Sequence, residues 1–292
     1  MSSHKGSSYR FTFALIQSGF YETGKDFDDV IETCKASGFA GVEGWLPLFE
    51  NRSENELVEI GERFRKAGLV METFHLPHKD PPNNDIAALY ETDRLRAEGI
   101  MKRWIDIAAA AGATTGILHP TTRKGYRLEV EGMDRLISQL GKTLEALLKY
   151  GEQYNFKIAL ENMLPSSGNR LGSSESHFEE ILKRHDHPNL GFCLDTGHAL
   201  VSHGPKAMDM FHFMKDRLIA FHLDDNAGDR DSHLAPGHGR FPWRDFFIEL
   251  RKIDFGYTVC VEAPPFSFGP DYSIEAWSKL HEELIELDAS SR

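Results

Sequence analysis

Cysteine is scarce in this 292-residue chain: Cys34, Cys193 and Cys260 are odd in number and share no CxxC spacing. A disulfide framework is therefore not expected, and a reducing cytoplasm is the natural compartment. No apolar run approaches the roughly 18 residues of a membrane span. The short FTFALI stretch behind the polar opening MSSHKGSSYR is followed by no small-residue cleavage site, so no secretory leader is expected either. Basic charge is also in short supply, with 33 Lys and Arg against 45 Asp and Glu, a net charge of −12. That balance opposes tracking of a phosphate backbone, and a nucleic-acid partner is not expected. No G-x-G-x-x-G follows the first apolar run, which removes the usual dinucleotide-binding reading. Linkers rich in Pro, Gly or Ser and low-complexity tracts are missing as well. One domain, residues 11–292, is expected behind a polar tail of residues 1–10.

What the chain does have is a repeated alternation. Short runs rich in β-branched and aromatic residues predict strands at 11–16, 41–45, 69–75, 115–119, 156–162, 190–195, 218–223 and 257–262. Amphipathic stretches predict helices at 27–37, 54–67, 85–111, 131–154, 175–186, 205–216, 243–253 and 272–287. Eight such units imply a parallel sheet with right-handed crossovers. In about this length they suit a single closed (β/α)8 TIM barrel, an α/β fold, better than an open doubly wound sheet.

Histidine is plentiful, at 14 copies, and its placement carries the functional reading. The predicted strands 3 to 8 end in turn on His75, His119, Glu161, Asp195, His222 and Glu262. Barrel chemistry is assembled at these ends from several strands at once. Two residues earlier, on the same face, lie Thr73, Ile117, Ala159, Cys193, Ala220 and Cys260, small or apolar as packing beneath a site should be. Cys193 and Cys260 are accordingly read as barrel filling. Converging carboxylates repel unless protonated or bridged by a cation, so a divalent metal on Glu161, Asp195, His222 and Glu262 is expected. The mixed donor set suits Mn, Zn, Co or, less well, Mg. His198, Asp231 and His233 follow in loops as further ligand-like residues, while His78 and His238 read as solvated loop histidines. His4, His177, His185, His187, His203, His212 and His281 read as surface residues. Trp45 can stack on the apolar face of a ligand and Arg240 can meet a ligand oxygen, though loop packing or exposure is the plainer role for each.

The order ALEN, CLDTGHA, FHLDDN, D-x-H-x-x-P-G-x-G and VEAP on eight βα units resembles the xylose-isomerase-like TIM-barrel superfamily, over essentially all of the chain after residue 10. That superfamily includes sugar isomerases and epimerases and the endonuclease IV apurinic-site nucleases. In the epimerase branch, the resemblance implies one divalent ion, often Mn, Co or Mg, on Glu161, Asp195, His222 and Glu262, with His198 touching substrate. In the nuclease branch it implies three zinc ions held by these residues with His75, His119, Asp231 and His233. All of them are present, and Asn169-Arg170-Leu171-Gly172 is also reminiscent of that branch. Against it, LPHKDPPNN after His75 does not look like a loop that penetrates DNA, and the net charge of −12 weakens phosphate-backbone binding.

The expectation is therefore a metal-dependent sugar isomerase or epimerase, acting on a ketose or related α-hydroxy carbonyl compound through an enediolate. Glu161 and Glu262 would move the proton, and the partner would be a small sugar-like molecule. Two alternatives stand beside it: an endonuclease IV-like multi-zinc phosphodiesterase on abasic DNA, and a metal-dependent dehydratase, a lyase, on a sugar or cyclitol. Homo-oligomers are common in the superfamily and are possible here.

Overall fold

The computed structural model describes residues 9–78, 84–122, 132–165, 170–253, 255–266 and 271–292. Eight strands run through it: β1 (Phe11–Ala14), β2 (Val42–Trp45), β3 (Thr73–His75), β4 (Thr115–Leu118), β5 (Lys157–Glu161), β6 (Leu190–Asp195), β7 (Leu218–Leu223) and β8 (Val259–Val261). Each pairs parallel with the next, and β8 returns to β1 to close the barrel. The outer ring holds α1 (Phe27–Ser37), α2 (Leu46–Phe49), α3 (Glu54–Lys66), α4 (Glu91–Ala110), α5 (Met133–Gly151) and α6 (Glu175–Arg184). It continues with α7 (Thr196–His203), α8 (Met208–Met214), α9 (Trp243–Leu250) and α10 (Ile274–Ser290). None of the described helices is long and apolar enough to cross a membrane.

Local chemistry explains the element boundaries. Asp26 and Asp29 form a reciprocal capping box at the start of α1, and Ser53 and Glu56 do the same for α3. Strand β3 begins at Thr73 and not at residue 69, because Val70 makes only an isolated bridge to Gly41. The helix expected from residue 85 begins at Glu91. Before it, the Asp85 carboxylate accepts the Ala87 N–H and the Thr121 hydroxyl, and so favours a turn over a helical start. Helix α7 was not expected from the sequence. Asp195 ends β6 and at once caps α7 by accepting the His198 N–H at 2.6 Å.

Two layers fill the fold. Outside the barrel wall a large apolar core joins strands to helices, with the Phe13 ring stacked 4.2 Å from that of Trp277. Tyr9 joins this core, and its hydroxyl donates to Asp288 at 2.7 Å. Inside the barrel, Ile117, Ala159, Cys193 and Ala220 make a small dry plug. Cys193 and Cys260 are both buried and free, as barrel filling requires, and burial pushes the Cys193 thiol up to about 12.

The loop after β7 is tied to a single buried carboxylate. Asp225 accepts the backbone N–H groups of Asn226, Gly237, Gly239, Arg240 and Phe241 and the indole N–H of Trp243, at 2.7–3.1 Å. Its own backbone pairs with Leu234 in both directions at 2.8 Å. Gly239 is obligatory there, since a Cβ would lie 2.2 Å from Asp225 Oδ1. Removing one charged acceptor strands six donors, so Asp225→Ala is expected to cost about 4 kcal/mol, given that hydrogen bonds to charged groups contribute roughly 1.5–3 kcal/mol each and are not additive. The urea midpoint measures this, and a loss below about 1 kcal/mol would show that water replaces the carboxylate without penalty.

Candidate active site

The C-terminal ends of the strands deliver their polar side chains into one mouth. Glu161 closes β5, Asp195 closes β6, His222 lies one residue from the end of β7, and Glu262 follows β8 directly. Each of these side chains is buried, and one ligand atom from each lies within 4.8 Å of all the others. Asn162 holds two of the strand ends together: its Oδ1 accepts the Asp195 N–H at 2.7 Å and its Nδ2 donates to the Asp195 carbonyl at 2.9 Å.

Hydrogen-bond chemistry then assigns which imidazole nitrogens carry protons. A carbonyl or carboxylate oxygen only accepts, so a ring nitrogen bonded to one must be N–H. His222 donates through Nε2 to Glu43 Oε1 at 3.0 Å, leaving Nδ1 turned to Glu262 at 2.8 Å and Glu161 at 3.6 Å. His75 donates through Nδ1 to the Leu76 carbonyl, His198 to that of Asn162 and His233 to that of Glu262, at 2.8–2.9 Å. Their Nε2 atoms then face carboxylates: Glu161 at 3.7 Å from His75, and Asp231 at 3.4 Å from His198 and 3.2 Å from His233. His119 Nε2 stands 3.1 Å from Glu161. Lone pairs meeting lone pairs in a dry site require either protons or a cation between them.

The orphaned atoms agree. Glu161 Oε2, Asp195 Oδ2, His222 Nδ1, Asp224 Oδ2 and Asp231 Oδ1 are buried without an aligned hydrogen-bond partner. Burial pushes the Asp195 carboxyl up to about 7, with Glu161, Asp231 and Glu262 adding to the rise against the opposing charge of His198. Burial also raises Asp224 well above the carboxylate range. His233 is driven the other way: burial opposes its charge, but Asp231, Glu262 and Asp224 raise it to about 11. A divalent cation would discharge the repulsion that these protons otherwise absorb. Glu161, Asp195, His222 and Glu262 fit a mixed N/O ion of the Mn, Zn, Co or Mg kind.

The further ligand-like residues gather in the same place. Asp231 and His233 stand with Asp224 in one group, and His75 and His119 with His78 in another. His78 is therefore not the solvated loop residue expected; its ring lies 4.3 Å from that of His75 and 4.7 Å from that of His119. His177 is likewise buried and not on the surface, its Nδ1 accepting the Gly172 N–H at 3.2 Å. Sequence reading missed Glu43, Asp224 and Arg170. Glu43 had a signal, because strand alternation puts it on the face of Trp45. Trp45 and Arg240 are not brought to the cluster. Trp45 packs edge-on against Tyr21 at 6.1 Å, and Arg240 is an exposed side chain whose backbone serves Asp225. The mouth encloses about 570 Å³, and neither residue is among the described residues lining it.

Comparison with known proteins places this geometry. The family profile described as "Xylose isomerase-like TIM barrel" matches residues 31–286. The chain is 25% identical over 268 residues to the probable endonuclease 4 of Carboxydothermus hydrogenoformans, covering 82% of this chain and 84% of that protein. It is 28% identical over 119 residues to the fructoselysine 3-epimerase of Escherichia coli O157:H7, covering 41% and 42%. Three uncharacterised curated relatives match over 60%, 67% and 66% of their own length. Among solved structures, a D-tagatose 3-epimerase-like protein superposes with a TM-score of 0.77 at 21% identity, over 97% of this chain and 98% of that one.

The Glu43–His222 contact yields a test. A carboxylate that fixes the tautomer and orientation of a ligating histidine contributes about 10- to 100-fold in metal affinity. Glu43→Ala is expected to weaken Mn or Zn binding by that factor in competition with a chelating dye. An unchanged affinity in a folded variant would mean that His222 needs no such support.

Proposed function

The chain belongs to the xylose isomerase-like TIM-barrel family, and from that premise we propose that it is a divalent-metal-dependent sugar isomerase or epimerase. Its substrate on this reading is a ketose or a related α-hydroxy carbonyl compound. The observation that carries the proposal is the pair Glu161 and Glu262, on β5 and just after β8, flanking Asp195 and His222 with ligand atoms within 4.8 Å. A bound divalent ion supplies Lewis acidity that weakens the C–H bond beside a carbonyl. Glu161 and Glu262 approach from different strands and can address the two faces of a planar enediolate. One carboxylate accepts the proton from carbon, and the other, in its acid form, returns a proton. Return to the same carbon from the opposite face gives the epimer; return to the neighbouring carbon gives the isomer. His198, anchored through Nδ1–H to the Asn162 carbonyl, is suited to orient a substrate hydroxyl.

The cavity supports a small substrate. Its volume of about 570 Å³ is of small-molecule size, and Ile16, Met163 and Leu164 offer apolar surface beside the polar cluster. The fructoselysine 3-epimerase and the D-tagatose 3-epimerase-like protein point the same way. A second reading, a multi-zinc phosphodiesterase on abasic DNA, is favoured by the gathering of His75, His119, His198, Asp231 and His233 and by the endonuclease 4 relative. Against it stand the net charge of −12 and a cavity lined by only one Arg or Lys among the described residues. A dehydratase would share the proton abstraction and differ in expelling hydroxide.

Deuterium incorporation from heavy water into a panel of ketoses, followed by NMR, tests the reading without a guess at the product. Exchange is expected with the wild-type protein. It should fall at least about 1,000-fold in Glu161→Gln, in line with removal of a proton-transfer group, and full turnover in that variant with wild-type metal content would refute the assignment. Elemental analysis is expected to give one ion per chain. Two or three ions, chelator-sensitive cleavage of an abasic oligonucleotide and no exchange on any ketose would establish the nuclease reading instead.

A further inference from the structure

Arg170 is the one permanently charged cation among the described residues lining the mouth. It is 5% exposed, yet its Nε has no hydrogen-bond partner. The side chain is nevertheless held in place. Its Nη2 donates to the Thr121 carbonyl at 2.8 Å and lies 3.5 Å from His119 Nδ1. Nearby, the Met163 N–H donates to the Gly172 carbonyl at 2.8 Å, and Leu171 is buried. Glu161 and Asp85 act on Arg170 through their charge, but among the described residues neither forms a salt bridge with it: Glu161 lies 3.1 Å from His119, and Asp85 accepts the Thr121 hydroxyl at 2.9 Å. A buried guanidinium without an ion-pair partner is costly, and a planar carboxylate is the group whose geometry best matches it.

We propose that Arg170 is the specificity-determining residue of this site and selects a substrate that bears a carboxylate. The compound turned over would then be a keto-sugar acid, its carboxylate on Arg170 and its reacting carbons toward Glu161 and Glu262. This rests on the isomerase or epimerase reading above. A phosphate ester shares the anionic chemistry but fits less well. It carries up to two charges and more acceptor oxygens, whereas the described lining offers one guanidinium and three carboxylates, Glu161, Asp231 and Glu262.

The test compares three probes on the metal-loaded protein: a ketohexose, the ketohexuronate that differs from it by a C6 carboxylate, and the ketohexose 6-phosphate. Solvent deuterium exchange is expected to show kcat/KM for the uronate at least 10-fold above that of the other two. Arg170→Met should lower the uronate value about 100-fold, mostly through KM, because it removes one partner of a buried charge pair. The fall on the neutral ketose should be at least ten times smaller, and Arg170→Lys should restore part of the loss. Equal losses on ketose and uronate would overturn the proposal and make Arg170 a positioning residue for His119. A preference for the phosphate ester or the neutral ketose would overturn it while leaving the isomerase reading intact. If none of the three exchanges, the isomerase reading fails for these substrates, and calorimetric titration of uronate against ketose then decides the proposal alone. Binding of the uronate at least 10-fold tighter than the ketose, lost in Arg170→Met but with circular dichroism preserved, sustains it; equal affinities overturn it.

Discussion

Like-charge crowding in a dry space is the constraint on which the rest of this structure depends. Glu161, Asp195 and Glu262 meet where water is largely excluded, with histidine nitrogens turned inward among them. Desolvation and mutual repulsion both oppose that arrangement, and the neighbouring imidazoles act against them, His119 and His222 on Glu161 and His222 and His233 on Glu262. It is tolerable only with protons or a cation in the middle. Fold stability and ligand chemistry are thus opposed here, and the remainder of the molecule supplies the difference through apolar packing and satisfied backbone.

The supporting contacts show where that compensation is made. Asn162 fastens the ends of β5 and β6, Glu43 holds the outer nitrogen of His222, and Asp225 gathers six donors to shape the loop that presents Asp231 and His233. Asp195 has two roles, since the carboxylate turned toward the mouth also caps α7. Gly197, the second residue of that helix, must lack a side chain because a Cβ there would lie 2.2 Å from Asp224. The ends of β5, β6 and β7 and the loop after β7 are therefore anchored by Asn162, Glu43 and Asp225, none of which lines the cavity. That separation lets a destabilising cluster sit on rigid elements.

Much of this was legible in the sequence, and the parts that were not share a cause. Strands β6 and β7 and helix α1 fall at their expected limits because hydrophobic runs there coincide with ladder register and capping residues. The strand-end residues were readable because period-two alternation makes the last inward side chain of each strand predictable. Glu43 is less legible because it lies two positions before Trp45, the final residue of β2, on the same face. His78 and Arg170 escaped for a different reason. They line the mouth from beyond the strand ends, three residues after His75 and nine after Glu161, where no periodicity operates. The same limit applies to Trp45 and Arg240, whose nearness to strand ends in sequence did not bring them into the cavity.

The ligand set and the lining carry different information. Residues that gather around Glu161 are dictated by electrostatic need, and any reaction served by a divalent ion would demand much the same set. Epimerase and nuclease relatives can therefore both resemble this chain without contradiction. What separates them physically is the surface a substrate meets beyond the ion. A phosphodiester backbone requires a field of cations along a groove, whereas the described residues of this mouth present one guanidinium, carboxylates and a short apolar wall around about 570 Å³. The lining argues for a compact substrate, engaged by polar groups on one side and aliphatic carbon on the other. On the proposed reading, the residues that can hold an ion discriminate less between substrates than those, such as Arg170, Met163 and Leu164, that complete the chamber around it.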